Sequence, residues 1–163
     1  MKVNLLNIPS HVLTLADSDH RLNAFKNNIG TKLSVSTFYG ERKPTVAEGC
    51  YLSSFNLYKT VKPPVLILED DVLLTEHFTD IIDVPDDADA IYLGTSAWGV
   101  KNNESMFKNL NIKKYNDQFY KIEYMTTTHA ILFLSEKFFS EILNTLTNNI
   151  DQQPIIPIDN HIA

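Results

Sequence analysis

The chain has 163 residues, of which 44% are hydrophobic, and a chain of this kind can bury one substantial core. One domain over residues 1–163 is therefore expected, and intrinsic disorder is not expected. Fourteen basic residues against twenty acidic ones give a formal charge of −6. This balance argues against nucleic acid as a partner, because binding to a phosphate backbone depends on positive charge.

The single cysteine, Cys50, excludes an intrachain disulfide and predicts a reducing compartment, in which it acts as a small buried apolar group. The first ten residues are interrupted by Asn4, Asn7 and Pro9 and lack the apolar run of a signal peptide. No stretch of the sequence reaches the length of a membrane span. We therefore expect a cytoplasmic protein without a transmembrane segment.

Strand and helix patterns alternate in the first part of the chain. Residues 11–15 predict a first strand, which a short helix follows. Residues 32–39 alternate in polarity and predict a second strand. Thr45 and Glu48 then match a capping box, so a second helix is expected from this point to about residue 59.

The second part continues the alternation and adds a hairpin. Residues 90–93 and 130–134 predict two further strands, while residues 111–115 and 119–125 flank a polar turn and predict a β-hairpin. Ser135 is placed to cap a last helix. Repeated βα units with a late hairpin predict an α/β sandwich around a mostly parallel sheet.

An acidic stretch in the middle of the chain carries the strongest functional signal. Residues 65–68 form a short apolar run that predicts a buried strand, and Glu69, Asp70 and Asp71 follow at its carboxyl end. Ligands of open α/β sheets collect beyond that end, where carboxylates can hold a hard divalent cation. Since side chains alternate along an extended chain, Glu69 and Asp71 form the expected pair and Asp70 faces elsewhere. The alternative is a solvated acidic turn in which one aspartate caps the next segment.

Five stretches stand in order along the chain. They are residues 13–15 with Arg21, residues 48–53, residues 66–72 (Leu-Ile-Leu-Glu-Asp-Asp-Val), residues 127–135 and residues 157–159. Together they resemble the family 25 glycosyltransferases, which include lipooligosaccharide galactosyltransferases and collagen galactosyltransferases. In the same order, they are similar to the family's N-terminal strand with its arginine, its glycine-cysteine helix, its acidic signature, its threonine-rich strand and its closing proline-hydrophobic-aspartate element.

The resemblance implies a GT-A-type, Rossmann-like fold and transfer of a hexose, galactose or glucose, from a UDP-sugar with inversion at the anomeric carbon. It also implies Mn²⁺ or Mg²⁺ as the metal, a saccharide or other hydroxyl acceptor, and a role in lipopolysaccharide biosynthesis. The chain would be a minimal or C-terminally truncated version of the family's catalytic domain. The alternative is a degenerate relative that binds nucleotide or carbohydrate without turnover.

The metal site and the catalytic base follow from this resemblance. Asp71 and Glu69 are the expected metal ligands, and His161 is a candidate to complete the shell with an imidazole nitrogen, against the alternative of an exposed terminal histidine. Asp159 matches the closing element and is the candidate base or acceptor-orienting group. Its alternative is an aspartate that ends a proline-rich loop.

The donor site is expected at the first βα turn and the acidic strand end. Arg21 is a candidate for the donor's phosphate or uracil, with a surface salt bridge as the competing explanation. Thr14 and Leu15 would contact the base through their backbone. Glu69 is assigned to the ribose or a metal-bound water, and Asp70 is assigned to the same donor site.

Two further side chains have open interpretations. For His129, which follows a threonine run, packing at the entrance of a strand is favoured over metal ligation. Trp98 lies in a polar loop and offers either an aromatic face for a sugar ring or a cover for the core.

Overall fold

The computed structural model of the chain describes residues 1–94, 112–117, 119–122 and 128–151. Within these ranges, none of the helices is long and apolar enough to cross a membrane. The helices are α1 (Asp19–Asn28), α2 (Val46–Tyr58) and α3 (Glu136–Asn149). The strands are β1 (Lys2–Asn4), β2 (Ser10–Leu15), β3 (Val35–Gly40), β4 (Val65–Glu69), β5 (Ile81–Asp83), β6 (Ala90–Gly94), β7 (Ile112–Lys114), β8 (Tyr120–Ile122) and β9 (Ala130–Phe133).

The main sheet has five strands in the order β3-β2-β4-β9-β6. The strands β3, β2 and β4 run parallel, whereas β9 is antiparallel to both β4 and β6. The predicted α/β class is confirmed. The sheet is mixed, with two parallel and two antiparallel strand pairings, so the prediction of a mostly parallel, GT-A-like sheet is not confirmed. The apolar run of β9 gives no information on its direction, and this is why the sequence did not reveal the antiparallel insertion.

Two small sheets complete the strand pairing. The strands β7 and β8 form the predicted late hairpin, with Lys113 opposite Lys121. The strand β1 pairs with β5 in antiparallel fashion.

The central strand β4 is buried on both faces between β2 and β9, which explains its unbroken apolar sequence. Leu66 and Leu68 belong to the core layer that α1 covers. Val65 and Ile67 belong to the opposite layer, which α2 and α3 cover.

The N-caps predicted at Thr45 and Ser135 are confirmed. The Thr45 hydroxyl accepts a hydrogen bond from the Glu48 amide at 3.2 Å, and the Ser135 hydroxyl accepts one from the Phe138 amide at 3.2 Å. Side-chain acceptors of this kind satisfy amides that have no partner inside the helix.

The prediction that Cys50 is buried is wrong, because Cys50 is exposed on α2. The buried stripe of α2 passes through Tyr51, Phe55 and Tyr58. On a helix, neighbouring positions are rotated by about 100°, so the residue next to Tyr51 leaves the core-facing side.

A close approach between β3 and α2 shapes the edge of the sheet. A Cβ atom on Gly40 would lie 2.5 Å from Ser53 Oγ and 2.8 Å from Ser53 Cβ. The Ser53 hydroxyl also accepts a hydrogen bond from the Glu41 amide at 2.9 Å. Glycine at position 40 therefore lets α2 pack directly against the end of β3.

The substitution Gly40→Ala is expected to lower the free energy of unfolding by about 1–3 kcal/mol, because the added methyl group overpacks the contact with Ser53. The measurement is urea denaturation followed by circular dichroism. Gly30→Ala is the matched control, since its nearest neighbour would be Lys26 Cβ at 3.6 Å. Equal midpoints for the two variants would contradict this account of the packing.

Candidate functional site

The acidic turn lies at the edge of the sheet where β2, β3 and β4 end. The turn is closed by a hydrogen bond from the Val72 amide to the Glu69 carbonyl at 3.3 Å, so Asp70 and Asp71 are its two central residues. The Glu69 amide also donates to the His129 carbonyl at 2.9 Å. This bond extends the pairing of β4 with β9 by one residue and places His129 opposite the start of the turn.

The first group of polar contacts surrounds Glu69. Its Oε1 atom accepts a hydrogen bond from the Thr128 hydroxyl at 2.6 Å, and its Oε2 atom lies 2.7 Å from His129 Nδ1. The same Nδ1 atom lies 3.4 Å from Asp71 Oδ1. One imidazole nitrogen therefore faces both carboxylates that the alternation predicts to be a pair.

The second group surrounds Asp70. The Thr14 hydroxyl donates to Asp70 Oδ2 at 2.6 Å, and Arg21 Nη2 lies 2.5 Å from Asp70 Oδ1. The same Arg21 atom lies 3.1 Å from Asp71 Oδ2. Asp70 is buried, and a buried carboxylate needs such charged and hydrogen-bonded partners to offset its lost hydration.

Asp71 joins the two groups. One of its oxygens faces His129 and the other faces Arg21. Its side chain is 48% exposed, against 7% for Asp70. Asp71 is therefore accessible to a ligand from solvent, whereas Asp70 is enclosed by protein.

The residues beside the turn fit a divalent cation. Glu69, Asp71 and His129 each offer one ligand atom, and these atoms lie within 4.8 Å of one another. Two carboxylate oxygens and one imidazole nitrogen suit Mn²⁺, and oxygen ligands suit Mg²⁺. The partial exposure of Asp71 leaves room for further oxygen ligands from water or substrate.

The arrangement at the turn follows the predicted alternation, with Glu69 and Asp71 beside His129 and Asp70 on the other side. Arg21 combines features of both explanations given for it, since it forms ion pairs and remains 42% exposed at the edge of the site. The Thr14 side chain donates a hydrogen bond to Asp70, and the expected contact of its backbone with the donor base stays a prediction.

Of the remaining candidate residues, one lies in the described part of the chain. Leu15 is the last residue of β2, is half-buried, and pairs with Gly40. Asp159, His161 and Trp98 lie outside the described residues.

Two residues have more contacts in the site than the sequence predicts. His129 does more than pack at the start of a strand, since it contacts both Glu69 and Asp71. Thr128 received no role, although its hydroxyl binds Glu69. The available signal was the threonine-histidine sequence at the entrance of β9, which becomes informative only when β9 is paired with β4.

An ion pair connects the loops that follow β2 and β3 at the same edge. Arg42 Nε and Nη2 contact Asp17 Oδ2 and Oδ1 at 2.8 and 3.0 Å. Hydrogen bonding and charge from Arg42 hold the pKa of Asp17 below its ordinary value. Because both side chains are exposed, the pair adds little stability.

A comparison with protein families identifies one model, described as glycosyltransferase family 25 (LPS biosynthesis protein), that matches residues 36–160. The match includes the acidic turn, Thr128 and His129, while Thr14 and Arg21 precede it. Searches of curated proteins and of solved structures find no match.

Thr14→Val is expected to lower the free energy of unfolding by about 1–2 kcal/mol, because it removes a hydrogen bond from a buried carboxylate while keeping the shape of the side chain. Chemical denaturation measures the change. Thr31→Val is the control, since the Thr31 hydroxyl bonds the Asn28 carbonyl at an exposed position. A loss at Thr14 no larger than at Thr31 would show that Asp70 does not depend on this hydroxyl.

Proposed function

Because the chain belongs to glycosyltransferase family 25, a family of transferase enzymes, we propose that it moves a hexose from a UDP-sugar to a saccharide or other hydroxyl acceptor. The hexose is galactose or glucose, transfer inverts the anomeric carbon, and the product belongs to lipopolysaccharide biosynthesis. The observation that carries the proposal is the position of Glu69, Asp71 and His129 at the edge where three parallel strands end. A GT-A-type fold and a cytoplasmic location belong to the same proposal.

Glu69, Asp71 and His129 would hold the metal, Mn²⁺ or Mg²⁺. A bound ion of this kind stabilises negative charge on a departing diphosphate as a Lewis acid. His161, the imidazole predicted from the sequence, stays a candidate ligand, while His129 is the imidazole beside Glu69 in the described part of the chain. Thr128 would orient Glu69 through its hydrogen bond to Oε1.

Arg21 would contact the diphosphate of the donor. Its guanidinium is partly exposed and lies beside Asp71, so it adds positive charge at the place where an anionic donor must bind. Both of its contacts with the acids use Nη2, and a guanidinium has further N–H groups that match phosphate oxygens. Leu15, at the end of β2, would place its backbone near the base.

Asp159 is proposed as the base or acceptor-orienting group. In an inverting displacement, the acceptor oxygen forms its bond to the anomeric carbon on the face opposite the leaving diphosphate. Asp159 would accept the proton of the acceptor hydroxyl as that bond forms and the bond from carbon to the diphosphate oxygen breaks. This role rests on the proline-hydrophobic-aspartate sequence at residues 157–159.

Thermal unfolding with nucleotides tests the proposal. UDP with Mn²⁺ is expected to raise the melting temperature by several degrees, since a ligand at a hundred times its Kd adds about 2.7 kcal/mol. GDP and CMP serve as comparison ligands, and EDTA is expected to remove the effect of UDP. Turnover of a UDP-hexose should also cease in excess EDTA.

The outcomes separate the alternatives. A UDP shift without turnover of any UDP-hexose would favour a degenerate binding module. Undiminished turnover in EDTA would contradict the metal site, and stabilisation by GDP or CMP alone would contradict the choice of donor.

His129→Ala is expected to weaken Mn²⁺ binding by about tenfold or more, because even residues outside the ligand shell of a metal typically contribute about 10–100-fold. Isothermal titration with Mn²⁺ measures the affinity. His77→Ala is the matched control, since His77 is exposed and faces Glu76 at 3.7 Å. Equal Mn²⁺ affinities in the two variants would exclude His129 from the metal site.

A further inference from the structure

We propose that Asp70 is a positioning residue, which holds the Arg21 guanidinium at the diphosphate of the donor and contacts neither donor nor metal itself. The inference rests on the proposed function of the site and assigns its three acids to two separate tasks. Glu69 and Asp71 would serve the metal, while Asp70 would serve the arginine.

Both oxygens of Asp70 already have close partners. Oδ2 accepts the Thr14 hydroxyl at 2.6 Å, and Oδ1 lies 2.5 Å from Arg21 Nη2. The side chain is 7% exposed. A ligand from solvent would have to displace a charged partner and enter a closed space, so direct donor binding by Asp70 is disfavoured.

Arg21 needs such an anchor. It lies in the first turn of α1, and a free arginine side chain loses considerable rotamer entropy when a ligand fixes it. The ion pair with Asp70 fixes one end of the guanidinium before any ligand arrives. Because the same Nη2 atom lies 3.1 Å from Asp71, the group is held beside the candidate metal cluster.

Thr14 extends the support into the sheet. Its hydroxyl is buried on β2, next to β4 in the sheet, and a threonine side chain has few rotamers. The contacts therefore run from the buried strand β2 through Asp70 to a partly exposed guanidinium. A buried residue between a strand and an exposed side chain is well placed to position that side chain. Asp71, by contrast, is itself exposed to solvent.

Asp70→Asn tests the proposal by titration with three probes. Asparagine keeps the size and an acceptor oxygen for Thr14 but removes the charge that holds Arg21. The Kd of UDP, measured with saturating Mn²⁺, is expected to rise about tenfold or more. The Kd of Mn²⁺ alone and the Kd of uridine are expected to change by less than about twofold, since neither probe carries a diphosphate.

Asp117→Asn is the matched control, because Asp117 is an exposed acid paired with Lys114 on the β7–β8 hairpin. It should leave all three affinities unchanged. An Mn²⁺ Kd that rises in Asp70→Asn as much as the UDP Kd would make Asp70 a metal ligand and overturn the proposal. An unchanged UDP Kd would overturn it as well.

A double substitution shows whether Asp70 acts through Arg21. Arg21→Ala alone should raise the UDP Kd by as much as Asp70→Asn or more, and adding Asp70→Asn to Arg21→Ala should change it by less than about twofold. If the rise in the UDP Kd of the double variant equals the product of the rises in the two single variants, Asp70 acts on the donor independently of Arg21. If Asp70→Asn does not fold, Thr14→Val gives the same comparison, with a rise in the UDP Kd of a few-fold and an unchanged Mn²⁺ Kd expected.

Pyrophosphate with Mn²⁺ separates this inference from the proposed function. If the wild type binds no nucleoside diphosphate, the proposed donor is wrong. Pyrophosphate then serves as a probe without a nucleoside, whose diphosphate Arg21 would still contact. Loss of pyrophosphate binding in Asp70→Asn would still support the positioning role. If the wild type binds neither a nucleoside diphosphate nor pyrophosphate, the positioning role of Asp70 is overturned.

Discussion

The backbone hydrogen bond between the Glu69 amide and the His129 carbonyl is the contact on which the site depends. It joins residues 60 positions apart in the sequence and continues the antiparallel pairing of β4 with β9. Without that pairing, neither Thr128 nor His129 would reach the Glu69 carboxylate. The imidazole therefore belongs to the acidic turn because β9 is inserted beside the central strand.

Three consecutive acids at the end of a buried strand repel one another unless positive groups compensate them. Arg21 supplies this compensation through its contacts with Asp70 and Asp71, and the His129 imidazole lies beside Glu69 and Asp71, so Asp71 is the one acid that contacts both residues. The result is an open side with two carboxylates and an imidazole, and an enclosed carboxylate, Asp70, that is paired with a partly exposed guanidinium. Under the proposed function, a divalent cation at Glu69, Asp71 and His129 would join Arg21 in supplying the positive charge that an anionic sugar nucleotide needs to bind to a chain of net negative charge.

The family match covers part of the site, and contacts in the structure connect further residues to it. The matched residues include the acidic turn and the start of β9 but begin after Thr14 and Arg21. Those two residues are linked to the site by their contacts with Asp70. The geometry thus extends the site to the first βα unit, and the close packing of Gly40 against Ser53 places the next loop at the same edge.

Local patterns in the sequence determined the buried strand at residues 65–68, the caps at Thr45 and Ser135, and the separation of Asp70 from Glu69 and Asp71. Each of these depends on neighbouring residues alone, through side-chain alternation or a hydrogen bond three residues along the helix. The tertiary structure decided the direction of β9, the exposure of Cys50 and the partners of His129 and Arg21. Such features depend on which elements become neighbours in space, and the apolar pattern of a strand or helix does not specify its partner.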